Sequence, residues 1–161
     1  SMELGSNCPT IVMADAELDK AIPSCVSGAF WAAGQNCLHV QRLLVQDSIY
    51  ETFKARFVEK TKTYKVGDKQ DEATDIGSLI HERAAKKVEQ TVNDAVQAGA
   101  KLLTGGKRKG TFFEPTVLEH VPHHTKLYSE EIYGPVTILE TFTTLDEAIQ
   151  LANSVDYGLQ A

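Results

Sequence analysis

The side chains with chemistry to offer begin with a thiol. Cys37 sits in "GQNC", after a glycine suited to ending an apolar helix and before an aliphatic strand. A loop in that place can present a side chain to a cleft. A thiol there needs only a modestly lowered pKa to become a useful nucleophile. From periodicity alone, Cys37 reads equally as nucleophile and as buried filler. Cys25 falls on the apolar stripe of a helix and Cys8 precedes Pro9 at a strand entrance, so both read as packing. His39 would share a face with Cys37 if a strand starts at Leu38, but no third residue orients its ring. It reads as cleft-lining or structural. Three cysteines, an odd count with no C-x-x-C pair, argue against a disulfide framework or zinc site and for a reducing cytoplasm. His120, His123 and His124 have no partners to complete a ligand set, so no metal is expected. The run Lys107-Arg108-Lys109 lacks the glycine spacing of a phosphate loop and reads as a solvated hairpin tip.

The elements that must position these groups alternate between apolar strands and amphipathic helices. That pattern predicts an α/β layer fold with a largely parallel sheet. Strands are expected at 9–13 and 42–46, then near 101–104 and through "FFEPTVLE" and "PVTILETF". Pro115 places the "FFEPTVLE" piece near a sheet edge. Asp15 is expected to cap a helix whose stripe is Leu18, Ile22, Cys25 and Ala29, with Pro23 kinking or breaking it and Gly34 ending it. Ser48 with Glu51, and Thr144 with Glu147, have the spacing of capping boxes. A helix over 82–98 buries Val88, Val92 and Ala95, and Gly99 stops it. The chain of 161 residues suits one domain, and its 42% hydrophobic and 24% charged residues are those of a soluble globular protein. A net charge of −6 disfavours nucleic acid or an anionic membrane as partner. No apolar run approaches the roughly 20 residues of a spanning helix, and no signal peptide is evident.

The blocks "ELGSN", "GQNC", "KVGD", "GAKLLTGG", "FFEPTVLEHV", "EEIYGPV" and "ANSVDYGLQA", in this order, span essentially the whole chain. They resemble the catalytic half of the NAD(P)-dependent aldehyde dehydrogenase superfamily. "ELGSN", "VQR" and "YGLQA" are similar to its lactaldehyde- and phosphonoacetaldehyde-type branch. The resemblance implies a three-layer αβα domain, with residues 2–161 forming a partial catalytic domain. It also implies NAD or NADP as cofactor, a small-molecule aldehyde substrate and a homo-oligomeric parent, dimer or tetramer. Cys37 matches the thiol that attacks the aldehyde to give a thiohemiacetal and then a thioester. Glu3, 34 positions earlier, matches the general base for thioester hydrolysis. Glu131 matches the acid that binds the ribose next to the nicotinamide, and Tyr133 the aromatic near that ring. Leu4 and Gly5 match the backbone bend that admits the nicotinamide.

Departures from the family pattern bear on substrate and activity. Ser6 and Asn7 stand where the family often has glycine and lysine. Asn36 and Leu38 flank the thiol and shape substrate choice. No arginine stands beside Cys37, which argues against a phosphonate or sulfonate aldehyde. The family's dinucleotide-binding segment, its oxyanion-hole asparagine and its C-terminal oligomerisation stretch lie outside the blocks matched here, so the fragment alone is expected to be inactive. Rival readings are a CoA-acylating relative, a non-catalytic interaction module, and a thiol redox sensor around Cys37. The sensor needs a resolving thiol, and sequence alone brings neither Cys8 nor Cys25 close.

Overall fold

A computed structural model describes residues 4–161. Five strands form the central sheet in the order β1-β2-β7-β6-β3. They are β1 (Cys8–Val12), β2 (Val40–Gln46), β3 (Lys101–Thr104), β6 (Thr116–Glu119) and β7 (Val136–Phe142). β1, β2, β7 and β6 run parallel, and β3 joins antiparallel to β6. Helices α1 (Leu18–Phe30) and α2 (Asp47–Lys62) pack on one face, and α5 (Leu145–Ala152) packs on the other. The α/β architecture with a mostly parallel sheet is therefore as the sequence predicts.

β2 shows why the sheet must be covered twice. Arg42, Leu43, Leu44 and Val45 are all buried, as expected of a parallel strand with helices on both sides. Leu43 and Val45 join the larger core with Phe30, Phe53 and Phe57, whereas Leu44 joins Phe142 and Ala148 beneath α5. α3 (Glu82–Gln97) buries Val88, Val92 and Ala95 as predicted, and Gly99 follows in a left-handed conformation, φ 113°. His81 caps that helix by accepting the Ala84 N–H at 2.9 Å, a role its sequence context did not advertise. A two-stranded ribbon, β4 (Arg108–Lys109) with β5 (Phe112–Phe113), and a short helix α4 (Lys126–Ser129) complete the elements.

Several local expectations are corrected. Asp15 lies in a turn, and Glu17 occupies the N-cap of α1 without a side-chain bond. Ser48 does not cap α2. β2 runs directly into that helix, which begins at Asp47, so Ser48 is already inside it. Pro23 neither ends nor splits α1, because it faces solvent, where the carbonyl it cannot serve is open to water. β6 is an interior strand, between β7 and β3, since Pro115 precedes the first ladder residue, Thr116. The basic run forms one arm of the β4–β5 ribbon rather than its tip, and Arg108 is tied to Glu89 at 2.7 Å. β2 begins at Val40, so Leu38 and His39 belong to the preceding turn. Among the described residues no helix is long and apolar enough to cross a membrane. Among them, too, no group of three or more His, Cys, Asp or Glu is disposed to hold a metal ion.

Candidate functional site

The described candidates, Leu4, Gly5, Cys37, Glu131 and Tyr133, fall on the three segments that lead into β1, β2 and β7. The segment before β1 turns at Gly5, whose φ of 70° favours glycine. That turn aims the Ser6 N–H at the Glu131 carboxylate, 2.9 Å from Oε1. A Cβ on Gly5 would stand 2.9 Å from Glu131 Oε2 and 3.3 Å from the Tyr157 ring, so the missing side chain is what lets these groups close up. The Tyr157 hydroxyl in turn accepts the Glu131 N–H at 3.3 Å.

A buried polar brace holds this arrangement to the sheet. Asn7 donates through Nδ2 to the carbonyls of Tyr128 at 2.8 Å and Glu130 at 3.3 Å, while its Oδ1 accepts Arg42 Nε at 2.8 Å. Arg42 is fully buried, with no carboxylate of the described residues on its guanidinium. It donates instead to the carbonyls of Asn7, Leu151 and Ala152 at 3.2, 2.7 and 2.9 Å, and lies over the Tyr128 ring. Gln41 spans the same gap from β2, donating to Leu127 and Glu130 carbonyls and accepting the Ile132 N–H at 3.0 Å. None of Asn7, Gln41, Arg42 and Tyr157 was singled out from sequence as a site residue. The available signal was a glutamine and an arginine inside an otherwise aliphatic strand, which must find partners once buried.

The thiol turn is built differently. Ala32, Ala33 and Gly34 have φ of 53°, 56° and 66°, a run of left-handed residues that reverses the chain after α1. At Gly34 a Cβ would run into the Gly134 carbonyl, so this glycine allows the Cys37 loop to lie directly on the segment that carries Glu131 and Tyr133. Gln35 pins the loop outward, accepting the Ile80 N–H at 2.9 Å and donating to the Ser78 carbonyl at 3.3 Å. Asn36 Oδ1 accepts the Leu38 N–H at 3.0 Å, and the Asn36 carbonyl accepts the His39 N–H at 3.3 Å. Cys37 itself is half-buried. Cys8 lies beneath it, buried as predicted, and its Sγ donates to the Cys37 carbonyl at 3.3 Å.

The remaining candidates are placed as follows. Leu4 and Tyr133 are exposed, Tyr133 with a φ of 53°, and Trp31, Leu38 and Ile80 also stay exposed on the segments around the thiol turn. Glu3 lies outside the described residues. Cys25 is buried in the core, and burial pushes its thiol up to about 11, which makes it inert at neutral pH. His39 does not line a cleft but is 4% exposed. Burial pushes its imidazole down to about 4, against a weaker opposite pull from backbone groups of Ala29 and Val136, so it is neutral and enclosed.

Comparison with known proteins adds an independent line. The sequence profile of the aldehyde dehydrogenase family matches residues 1–161. Aspartate-semialdehyde dehydrogenase 1 of Pseudomonas canavaninivorans is 50% identical over 161 residues, which is 100% of this chain and 34% of that protein. The crystal structure of aldehyde dehydrogenase 21 from Physcomitrella patens, in complex with the reaction product succinate, superposes with a TM-score of 0.96 at 44% identity, covering 99% of this chain and 33% of that one. Betaine aldehyde dehydrogenase from Staphylococcus aureus, solved with NAD+, gives a TM-score of 0.94 at 37% identity, covering 98% and 33%. The chain thus spans about a third of the length of the relatives it matches.

Proposed function

The chain belongs to the aldehyde dehydrogenase family, and from that premise we propose that it carries the thiol half of an NAD(P)-dependent aldehyde oxidation. Cys37 is the nucleophile. Its sulfur attacks the aldehyde carbon to form a thiohemiacetal, and the Cys37 backbone N–H faces the developing oxyanion. A single donor of that kind is worth about 2.7–4 kcal/mol in comparable sites. Bound NAD or NADP supplies the hydride acceptor. Cys37 then holds the acyl group as a thioester. Glu3 takes a proton from the water that releases the carboxylic acid. Transfer of the acyl group to CoA is the rival fate, and a base-like Glu3 favours water.

The residues present fit the cofactor role assigned to them. Glu131 Oε1 is committed to the Ser6 N–H, which fixes the carboxyl group, while Oε2 stands beside the bare Cα of Gly5. A carboxylate oxygen held this way is a good acceptor for a vicinal diol. Tyr133, exposed and next to the Gly134 on which the thiol turn rests, is proposed to offer its ring to the nicotinamide. The observation that carries the reading is the Gly34–Gly134 contact, which lays the Cys37 loop on the Glu131 segment.

The whole protein is proposed to be a cytoplasmic homo-oligomer, and this 161-residue stretch alone to lack dehydrogenase activity. Iodoacetamide labelling across a pH series, mapped by peptide mass, tests the thiol assignment. Cys37 should label selectively while Cys8 and Cys25 stay silent. A Cys37 no faster than Cys25 would overturn it, and NAD reduction by the isolated chain with simple aldehydes would overturn the inactivity.

A further inference from the structure

The mechanism leaves one buried nucleophile unused. Cys8 is 3% exposed, its Sγ lies 2.7 Å from the Ser6 hydroxyl, and it donates to the carbonyl of Cys37 itself at 3.3 Å. A filler thiol needs only apolar neighbours. This one is instead bonded to the residue proposed as nucleophile. We infer that Cys8 is the resolving thiol of Cys37, so that the pair forms an intramolecular disulfide when the protein meets a peroxide. The inference rests on Cys37 being a displayed, reactive thiol.

Geometry supports the pairing. The carbonyl oxygen is two bonds from the Cys37 Cα, so the Cys8 sulfur lies within about 6 Å of that atom and reaches the backbone of the residue it would join. Register adds a second constraint. Cys8 stands opposite Val40 in the β1–β2 ladder, and the Asn36–His39 turn folds back immediately before that residue. The sheet therefore fixes one sulfur while the other sits on a turn whose Asn36–His39 bond and bond to Cys8 are both 3.3 Å. Closing the disulfide gives up the bond from Cys8 to the Cys37 carbonyl. Cys25 is no competitor, being on the buried face of α1 and part of the core.

The chemistry balances in two steps. The Cys37 thiolate attacks one oxygen of the peroxide. An S–O bond forms, the O–O bond breaks, and the departing oxygen takes a proton to leave as water or an alcohol. Sulfur loses two electrons and the peroxide gains them, giving a sulfenic acid. Cys8 Sγ then attacks Cys37 Sγ. The S–S bond forms as S–O breaks, and the departing hydroxide takes up the Cys8 proton and leaves as water. Without Cys8 the sulfenic acid persists and is carried on to sulfinic acid, which a dithiol cannot reverse.

The test uses the chain as it stands. The protein is treated with hydrogen peroxide at low concentration, blocked with an alkylating agent, and mapped by mass before and after dithiothreitol. The expected product is a Cys8–Cys37 cross-linked peptide two hydrogens lighter, formed at a rate independent of protein concentration, with full Cys37 alkylation restored by dithiothreitol. Cys8→Ser, which retains a hydrogen-bond donor to the Cys37 carbonyl, should lose that recovery, with Cys37 gaining two oxygens. Cys37 oxidised to sulfinic acid while Cys8 remains alkylatable in the unaltered protein would overturn the inference and leave the nucleophile assignment standing. So would a bond from Cys37 to Cys25 or to a second chain. A Cys37 that resists both alkylation and peroxide would overturn the assignment itself, and the inference with it. If Cys8→Ser fails to fold, the peptide map of the unaltered protein decides alone.

Discussion

The enclosed imidazole of His39 makes stability fall in mild acid, and its size can be worked out. Its ordinary pKa of 6.5 is lowered to about 4 in the folded protein, with burial the main cause. The unfolded chain therefore binds a proton at higher pH than the folded one does. Stability is complete above 6.5, declines as pH falls, and the loss is full below about 4. By linkage the whole interval corresponds to about 3 kcal/mol, of which about 2 kcal/mol is gone by about pH 5. A domain stable by 5–15 kcal/mol in all feels this strongly. Urea unfolding of the unaltered protein and of His39→Gln, measured at several pH values from 7 to 4.5, isolates the effect, because surface carboxylates contribute equally to both. The two stability curves should converge as pH falls, the unaltered protein losing about 2 kcal/mol more than the variant by about pH 5. Parallel curves would refute the reasoning, since they would mean that His39 accepts its proton in the folded state without penalty.

Three further outcomes follow from named contacts. Arg42→Met should cost about 3 kcal/mol in urea unfolding, because it strands the buried Asn7 Oδ1 and the carbonyls of Leu151 and Ala152; a loss under about 1 kcal/mol would mean water replaces the guanidinium. Gly34→Ala should cost more than about 2 kcal/mol, since it combines a left-handed φ with a collision at the Gly134 carbonyl, and should change the Cys37 alkylation rate; an unchanged rate would detach the turn from the site. Glu119 is buried, and burial alone would raise its pKa, but hydrogen bonds from Lys101, Tyr50 and Lys54 prevail and hold it down to about 2. Its contribution is present above pH 4.5 and lost as pH falls toward 2, so Glu119→Gln should flatten that acid limb in a pH-dependent thermal melt; an unchanged limb would refute the ion-pair account.

Sequence pattern and structure part company where a local signal meets a long-range constraint. Thr144-x-x-Glu147 and Ser48-x-x-Glu51 are the same pattern, yet only the first caps. Glu147 N donates to Thr144 Oγ1 at 3.3 Å, and the Glu147 carboxylate reaches back to the Thr143 N–H at 2.8 Å. At Ser48 no loop intervenes between strand and helix, so the N-cap position falls on Gln46, whose side chain makes no capping bond, and Ser48 is already inside the first turn. Pro115 looked like an edge marker because its own position cannot pair, but strand order is set by the crossovers around β7, which no window of residues contains. The site shows the same divide. Cys37, Gly5, Glu131 and Tyr133 were legible as family words, whereas the Asn7–Arg42 and Gln41–Ile132 bonds join positions 35 and 91 residues apart. Cys8 reads correctly as buried. What periodicity cannot give is the identity of the atom its sulfur touches.

Those contacts divide the site into a stiff wall and a yielding one. The Glu131 segment is fixed to the sheet by Asn7, Gln41 and Arg42 through bonds mostly of 2.7–3.0 Å, most of them to backbone carbonyls. Backbone acceptors do not depend on side-chain identity, so residues in "EEIY" can vary without loosening the segment. Arg42 also places its charge against the last carbonyls of α5, the negative end of that helix, which offsets much of the cost of burying a cation without a carboxylate. Among the described residues the Cys37 turn is tied to other segments by the Gln35 bonds and the 3.3 Å bond from Cys8, its remaining bonds being within the turn or to Trp31 at its own start. In the proposed roles the thiol must attack, carry an acyl group and be released from it, whereas the carboxylate only holds a diol. The braced Glu131 segment and the looser Cys37 turn suit that division of labour, and the proposed disulfide would form on the same turn as the proposed nucleophile.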